Sequence, residues 1–255
     1  MPGRAKLTTE DALFGGAVVL VQPARGHGYR ANVDALLLAG FALRPRPARL
    51  VVDLGAGVGT VALALDHLGG ARSLLLIERQ AHLVELARAN IARNGLASRA
   101  RVEHLDLAEG LDPALPHAIR SADLVVANPP FVTLARARTS TPQGSRWEAR
   151  HGELGPFVRA AADALAHRGR ACFVYPAHAL LDLMALSRRF GLEPKRLRMV
   201  HGAAGRPARV ALVELARAKP GGLVIEPPLL ERIDGQPSPE LLALLQAPRS
   251  AALAR

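Results

Sequence analysis

Short apolar segments with the length of strands alternate with segments of helical periodicity along most of the 255 residues. This alternation predicts a mostly parallel sheet with helices on both faces, because parallel strands need crossover connections that are usually helices. We expect helices at residues 35–43, 59–68, 80–93, 154–167, 177–190 and 239–245. We expect strands at residues 17–22, 49–54, 73–77, 100–105, 123–127, 170–175, 195–200, 208–215 and 223–226.

The length is sufficient for one large α/β domain, and we find no internal repeat. We expect an N-terminal extension at residues 1–48, formed by a hairpin and a helix that pack on the core. The core domain is expected at residues 49–219. A proline-rich C-terminal appendage is expected at residues 220–255.

A glycine-rich turn, residues 53–60, lies between a predicted strand and a predicted helix. Gly55 and Gly57 permit positive φ angles and leave space for a ligand beside the backbone. Open α/β sheets bind ligands beyond the carboxyl ends of their strands, where this turn would lie. Thr60 stands where the dinucleotide fingerprint has its third glycine, which disfavours NAD. The turn therefore indicates a cofactor without a pyrophosphate, and an ordinary tight turn is the alternative.

Three acidic residues lie at the ends of predicted strands. Glu78 can accept hydrogen bonds from both hydroxyls of a ribose. Asp106, after the next strand, can accept one from an adenine amino group. Asp53 can organise the backbone amides of the glycine-rich turn or meet an amino group of the ligand. This set predicts a cofactor that contains a nucleoside, and surface acids at strand ends are the alternative.

The most specific motif is Asn128-Pro129-Pro130-Phe131, directly after the predicted strand at 123–127. The two prolines lack backbone N–H groups, so the turn presents carbonyl oxygens. The side-chain oxygen of Asn128 and the carbonyl of Pro129 can accept both hydrogens of an exocyclic amine, and Phe131 can stack on the planar group. With the glycine-rich turn, this motif predicts methyl transfer from S-adenosylmethionine (SAM) to a planar, amide-like nitrogen, mainly by alignment.

These residues resemble the seven-stranded SAM-dependent methyltransferases, in the branch that methylates amino groups. Within that branch the chain is similar to the tRNA adenine-N6 methyltransferases that modify position 37 of a valine tRNA. The similarity rests on residues 27–38, on the Asn-Pro-Pro-Phe turn, and on residues 140–143 with Arg146 and Arg150 after them. The family usually has Thr where this chain has Val33. It often has Tyr where this chain has Phe131, and the phenylalanine ring lacks the hydroxyl but still permits stacking.

The resemblance implies a Rossmann-like α/β fold whose mixed sheet has the order 3-2-1-4-5-7-6, with strand 7 antiparallel. It also implies SAM as the cofactor and RNA, most simply tRNA, as the partner. The catalytic residues are then Asn128, Pro129, Pro130 and Phe131. The residues expected to bind the cofactor are Asp34, Asp53, Gly55, Ala56, Gly57, Gly59, Glu78, Asp106 and Asn128.

The same catalytic turn occurs in methyltransferases that act on a protein glutamine or on guanine N2 of rRNA, so both acceptors remain alternatives to adenine N6. The glutamine enzymes carry a helical recognition domain before the glycine-rich turn, whereas only 52 residues precede Asp53 here. A nucleotide-dependent oxidoreductase and a non-catalytic RNA-binding relative are the competing classes.

The formal net charge of +11 is typical of proteins that bind nucleic acids. Only three of the 33 basic residues are lysines, so an arginine-biased composition is the alternative explanation. A basic loop with one aromatic residue follows the catalytic turn and is expected to hold RNA, with a solvated loop as the alternative. Arg206 and Arg209 are weaker candidates. The loop residues concerned are Arg136, Arg138, Arg146, Trp147 and Arg150.

No apolar run approaches the ~20 residues of a membrane span, and the start of the chain lacks a signal-peptide pattern. Cys172 is the only cysteine, so an internal disulfide is impossible. The histidines lack the spacing of metal ligands, and we expect no catalytic metal. We therefore expect a cytoplasmic protein without a membrane partner.

Overall fold

The computed structural model describes residues 8–24, 32–112, 114–130 and 154–250. The helices are α1 (Val33–Ala42), α2 (Thr60–His67), α3 (Ala81–Arg93), α4 (Leu154–Ala164), α5 (Leu180–Arg189) and α6 (Pro239–Leu245). The strands are β1 (Thr8–Leu13), β2 (Val18–Pro23), β3 (Ala48–Leu54), β4 (Ala71–Glu78), β5 (Ala100–His104), β6 (Ala122–Ala127), β7 (Leu165–Pro176), β8 (Glu193–Ala203), β9 (Ala208–Ala216), β10 (Val224–Ile225), β11 (Leu229–Ile233) and β12 (Gln236–Pro237).

The described strands from β3 onward form one mixed sheet of ten strands. Its central part has the order β5-β4-β3-β6-β7-β9-β8, and β9 runs antiparallel to both of its neighbours. Numbered from β3, this is the predicted order 3-2-1-4-5-7-6, so the expected fold is confirmed. The carboxyl ends of β3, β4, β5 and β6 therefore lie side by side at one edge of the sheet.

Both faces of the sheet are buried, because successive side chains of a strand point to opposite faces. Val51 and Leu74 pack on the face covered by α1, α2 and α3. Val52 and Leu75, their immediate neighbours in sequence, pack on the face covered by α4 and α5. The central strands consequently read as unbroken apolar runs, which is the pattern that revealed them in the sequence.

The N-terminal hairpin, β1 and β2, forms a separate two-stranded sheet that packs on α3. The hairpin was expected, but only its second strand was assigned from the sequence. The first strand, β1, was not, because it is mostly exposed and lacks apolar alternation. The helix α1 follows and packs against α2. The division between this extension and the core at residue 48 stays a prediction.

The C-terminal segment extends the sheet beyond β8. Strands β10 and β11 both pair with β8 in parallel, and β12 pairs with β11. The helix α6 packs on α1, where Leu244 lies directly against Gly40. No helix in the described ranges has the length and apolarity needed to cross a membrane.

One predicted boundary was wrong. Helix α4 ends at Ala164 rather than residue 167, and β7 begins at Leu165 rather than residue 170. The register with β6 shifts between the Ala122 and Leu124 pairs, and Arg168 has a positive φ of 66°. A β-bulge thus replaces the last helical turn that we expected.

Candidate active site

The segments that follow β3, β4, β5 and β6 surround a cavity of about 220 Å³ at the carboxyl edge of the sheet. Each of the four segments contributes at least one residue that was predicted for the site. Residues from the start of α4 close the opposite wall. The predicted site residues that line the cavity are Gly55, Gly57, Glu78, Asp106, Asn128 and Pro130.

The glycine-rich turn has a backbone that side chains would disturb. Gly55, Gly57 and Gly59 all have positive φ angles, of 65°, 57° and 89°. A Cβ atom added to Gly55 would lie 2.7 Å from Cε1 of Phe157, closer than real contacts allow. Gly55 is therefore required both for its backbone conformation and for the approach of an aromatic ring from α4.

Asp53, nine residues before Ala62 in the sequence, stabilises the start of α2. Its Oδ2 accepts a hydrogen bond from the backbone N–H of Ala62, 3.2 Å away, in the first turn of that helix. Gly59, at the N-cap position, has no side chain to do this. Burial raises the pKa of Asp53 to about 8, with the negative charge of Glu78 acting in the same direction and the bond from Ala62 opposing both. Asp53 does not line the cavity, and its bond to Ala62 joins the glycine-rich turn to the start of α2; cofactor binding by Asp53 stays a prediction.

Glu78, the last residue of β4, connects the end of this strand to the glycine-rich turn through hydrogen bonds. Its Oε2 accepts a hydrogen bond from Gly57 N at 3.0 Å, and its Oε1 accepts one from Gln80 N at 2.9 Å. The side chain is buried yet lines the cavity. Each carboxylate oxygen retains a further lone pair, so an oriented acceptor faces the space where a ribose would lie.

Asp106 begins a short 3-10 turn, Leu107–Glu109, and its Oδ1 accepts a hydrogen bond from Ala108 N at 3.0 Å. This contact fixes the carboxylate at the cavity wall, one strand further from the glycine-rich turn than Glu78. The two carboxylates therefore mark two separate positions along the wall.

The turn after β6 lies on the other side of the glycine-rich turn, because β6 pairs with β3. Asn128 is half-buried and Pro130 is exposed, and both line the cavity. Pro129 is buried behind them and lines no part of it. Phe131 lies outside the described residues, as do Arg136, Arg138, Arg146, Trp147 and Arg150.

Several lining residues were missed by the sequence analysis. Pro156 and Phe157 belong to α4, which is separated from Pro130 by the 23 residues 131–153 of the sequence, so strand ends gave no indication of them. The only signal was an aromatic residue in the first turn of an otherwise alanine-rich helix. Apolar side chains complete the wall near the two carboxylates, namely Ile77, Leu83, Leu105 and Leu107.

Four residues predicted to bind the cofactor do not line the cavity: Asp34, Asp53, Ala56 and Gly59. Asp34 is almost completely buried at the start of α1, and Arg209 donates a hydrogen bond to its Oδ1 at 2.6 Å. Arg209 also pairs with Glu231 of β11 at 2.5 Å. Arg209 therefore has a structural partner on each side, and cofactor binding by Asp34 stays a prediction.

Among the described residues, no group of three or more His, Cys, Asp or Glu side chains is close enough to hold a metal ion. The polar and charged residues that line the cavity are instead Glu78, Asp106, Asn128, Gln80 and Arg79, beside the glycines of the turn. Together with the apolar wall, these are the features that suit a nucleoside ligand rather than an inorganic one.

Residues 32–192 match the family model of the methyltransferase small domain. The chain belongs to this methyltransferase family. A tRNA1(Val) (adenine(37)-N6)-methyltransferase from Porphyromonas gingivalis is 30% identical over 181 residues, which are 68% of each chain. A 4-amino-L-phenylalanine/4-methylamino-L-phenylalanine methyltransferase from Streptomyces pristinaespiralis is 31% identical over 63% of this chain and 53% of its own.

Solved structures show the same fold. The crystal structure of a predicted O-methyltransferase from Agrobacterium tumefaciens superposes with a TM-score of 0.63 at 21% identity, over 83% of this chain and 94% of the other. The chain is thus a Rossmann-like methyltransferase, and its methyl donor is SAM. The cavity fits this donor, because a side chain at Gly55 is excluded and two carboxylates flank an apolar wall.

Proposed function

We propose that the protein transfers a methyl group from SAM to the exocyclic amino nitrogen of a nucleic-acid base, namely N6 of an adenine in tRNA. The observation that supports this most strongly is that Asn128 and Pro130 of the turn after β6 line the same cavity as Gly55 and Gly57 of the glycine-rich turn. The relatives that are tRNA adenine-N6 methyltransferases and the net charge of +11 support a tRNA acceptor.

On the donor side, Glu78 and Asp106 have separate tasks. Glu78, oriented by the amides of Gly57 and Gln80, accepts hydrogen bonds from the ribose hydroxyls. Asp106 accepts from the adenine amino group, and the apolar wall packs on the ring. Gly55 and Gly57 leave room for the remainder of the donor, and Phe157 closes this side of the cavity.

On the acceptor side, the Asn128 side-chain oxygen and the Pro129 carbonyl accept the two hydrogens of the target amine. This arrangement directs the nitrogen lone pair toward the donor, which supplies an electrophilic methyl group. Because the attacked nitrogen becomes acidic as the new C–N bond forms, its proton can leave to water, and no strongly basic side chain is required. Alignment of the two reactants is then the main source of the rate enhancement.

The basic loop, with Arg136, Arg138, Arg146 and Arg150 around Trp147, is our candidate for contact with the RNA backbone and for stacking on a nucleotide. Phe131 is the candidate for stacking on the target base. These assignments rest on the sequence, because the residues lie outside the described ranges.

The test compares RNA nucleosides by mass spectrometry in wild-type and deletion strains, with tRNA and rRNA analysed separately. We expect loss of N6-methyladenosine from a tRNA fraction, and its return when purified protein and SAM are added. Loss of N2-methylguanosine from rRNA would support the guanine alternative. Loss of a methylated glutamine, measured by mass spectrometry of peptides from the same strains, would support the protein alternative. An unchanged nucleoside profile with methylation of free aromatic amines would indicate a small-molecule acceptor like that of the Streptomyces relative.

A further inference from the structure

A buried asparagine of α3, Asn90, connects the N-terminal hairpin to the glycine-rich turn. Its side chain has no exposed surface. Its Oδ1 accepts a hydrogen bond from Val21 N of β2 at 2.8 Å, and its Nδ2 donates to Val21 O at 2.9 Å. The second hydrogen of Nδ2 is donated to Val58 O, also at 2.9 Å. The carboxamide therefore donates one hydrogen bond to β2 of the hairpin and one to the glycine-rich turn.

Asn94, one helical turn later, makes a matching pair of hydrogen bonds with the same strand. Its Oδ1 accepts from Val19 N at 3.1 Å, and its Nδ2 donates to Val19 O at 2.8 Å. Its second donor stays within α3, on Asn90 O at 2.8 Å. The two asparagines thus bind β2 in the same way and differ in a single contact, the one that Asn90 makes with Val58.

The contact with Val58 lies in a part of the turn where glycines allow many backbone conformations. Val58 lies between Gly57 and Gly59, which both have positive φ angles and a wide choice of backbone conformations. The Gly57 amide must point at Glu78 for the observed bond of 3.0 Å. The orientation of the Val58 carbonyl is set from outside the turn, by Asn90.

We propose that Asn90 is a positioning residue for SAM binding: by holding Val58 O, it keeps the glycine-rich turn in the conformation that receives the donor. Without this bond, a buried carbonyl lacks a partner and the turn populates other conformations. The apparent dissociation constant then rises in inverse proportion to the fraction of molecules in the competent conformation.

The experiment compares Asn90→Asp with Asn94→Asp in the full chain. Each substitution keeps the shape and one acceptor while removing the amide donors. SAM binding is measured by calorimetry, and the urea midpoint is measured on the same samples. We expect about a tenfold weaker SAM affinity for Asn90→Asp and less than about a threefold change for Asn94→Asp. The urea midpoint should fall in both, and further for Asn90→Asp, because Asn90 is fully buried whereas Asn94 is half-buried.

A second variant, Asn90→Ala, covers the case in which a buried carboxylate prevents folding. In the folded Asn90→Ala protein we expect KM for SAM to rise about tenfold while kcat at saturating SAM stays within about twofold. Equal changes in SAM affinity for the Asn90 and Asn94 variants, or an unchanged affinity in folded Asn90→Ala, would overturn the proposal. Because the readout is donor binding, a failure of the tRNA assignment would leave this result unaffected.

Discussion

The two turns that meet at the cavity are stabilised in different ways. The glycine-rich turn after β3 is held by buried side chains from two other places, Glu78 and Asn90, and its own Asp53 accepts a hydrogen bond from α2. The turn after β6 has two prolines, which fix φ through their own rings and leave carbonyl oxygens without competing N–H groups. The conformation of the glycine-rich turn depends on hydrogen bonds from other elements. The conformation of the turn after β6 is restricted mainly by its own proline rings.

This difference separates the two functions of the site. A donor that is common to many reactions can be received by a turn buried in the core, because its shape need not change from one acceptor to another. The turn after β6, which we propose receives the acceptor, lies at the surface where Pro130 is exposed, and the arginine-rich residues 136–150 follow it in the sequence. We therefore expect substitutions in the first turn to alter donor affinity and stability, and substitutions in the second to alter the rate of methyl transfer.

The largest expected effect is that of Asn128→Ala. Loss of the side-chain oxygen removes one of the two acceptors that align the target amine, so we expect kcat to fall by about 10²–10³-fold. SAM affinity, measured by calorimetry, should change by less than about threefold.

This result would show that the turn after β6 and the glycine-rich turn have separate functions, since it assigns Asn128 to the acceptor side alone. Full activity of Asn128→Ala would disprove its assigned role. A large loss of SAM affinity would instead show that the two turns are not separable.

The second largest effect is expected for Glu78→Gln. The amide would lose one of the two acceptor oxygens and place an N–H donor against the backbone amide of Gly57 or Gln80. We expect SAM affinity to fall by roughly 30–100-fold, as for the loss of charge-assisted hydrogen bonds in a buried site.

The matched control is Glu85→Gln, which removes the same charge from an exposed position on α3, where Glu85 pairs with Arg88. Surface pairs of this kind contribute little, so we expect SAM affinity to be unchanged. Equal effects of the two substitutions would indicate that net charge, rather than the oriented carboxylate, governs donor binding.

How far the sequence could predict this arrangement depends on how local each signal is. Gly55, Glu78, Asp106 and Asn128 each follow an apolar strand directly, and parallel strands bring such positions to one edge. Phe157 reaches the cavity from a different helix, and the contact with Gly55 is a matter of tertiary packing alone. A local pattern does not reveal a contact of this kind.

The same reasoning explains what was missed in the fold. Asn90 is a buried polar residue in a helix, and its hydrogen bonds with β2 and with the Val58 carbonyl explain its presence. β11 contains Glu231 and Arg232 and follows two prolines, so it lacks an apolar run. Its pairing with β8, and the ion pair of Glu231 with Arg209, become visible only in three dimensions.

A third test uses two glycines with nearly the same backbone angle. Gly55 has φ 65° and Gly15, in the N-terminal hairpin, has φ 64°. An added Cβ would meet Phe157 at 2.7 Å in the first case and nothing within 4 Å in the second. We expect Gly15→Ala to lower the free energy of unfolding by about 1 kcal/mol and Gly55→Ala by about 2–4 kcal/mol, measured by urea unfolding.

The added cost of Gly55→Ala should be reduced when Phe157→Ala is present, because the clash is then removed. A double-mutant cycle measures this coupling directly. Additive effects of the two substitutions would show that the ring does not determine the requirement for glycine.

The effect expected for Asp53 appears only when the pH is varied, as a dependence of stability on pH. The pKa of Asp53 is raised to about 8 in the folded protein, chiefly by burial, whereas an unfolded Asp has a pKa near ~4. Between these values the folded protein holds a proton that the unfolded chain releases. Raising the pH through this range therefore favours unfolding, by at most about 1.4 kcal/mol per pH unit.

Asp53→Asn keeps an oxygen for the amide of Ala62 but cannot ionise. We expect the wild-type protein to lose stability relative to this variant as the pH rises from about 5 to about 8, and the difference to become constant above that range. Urea unfolding across this pH series measures it. If the two proteins instead keep a constant difference throughout, Asp53 is ionised in the folded state, and the glycine-rich turn would then be ordered by a charged carboxylate rather than a neutral one.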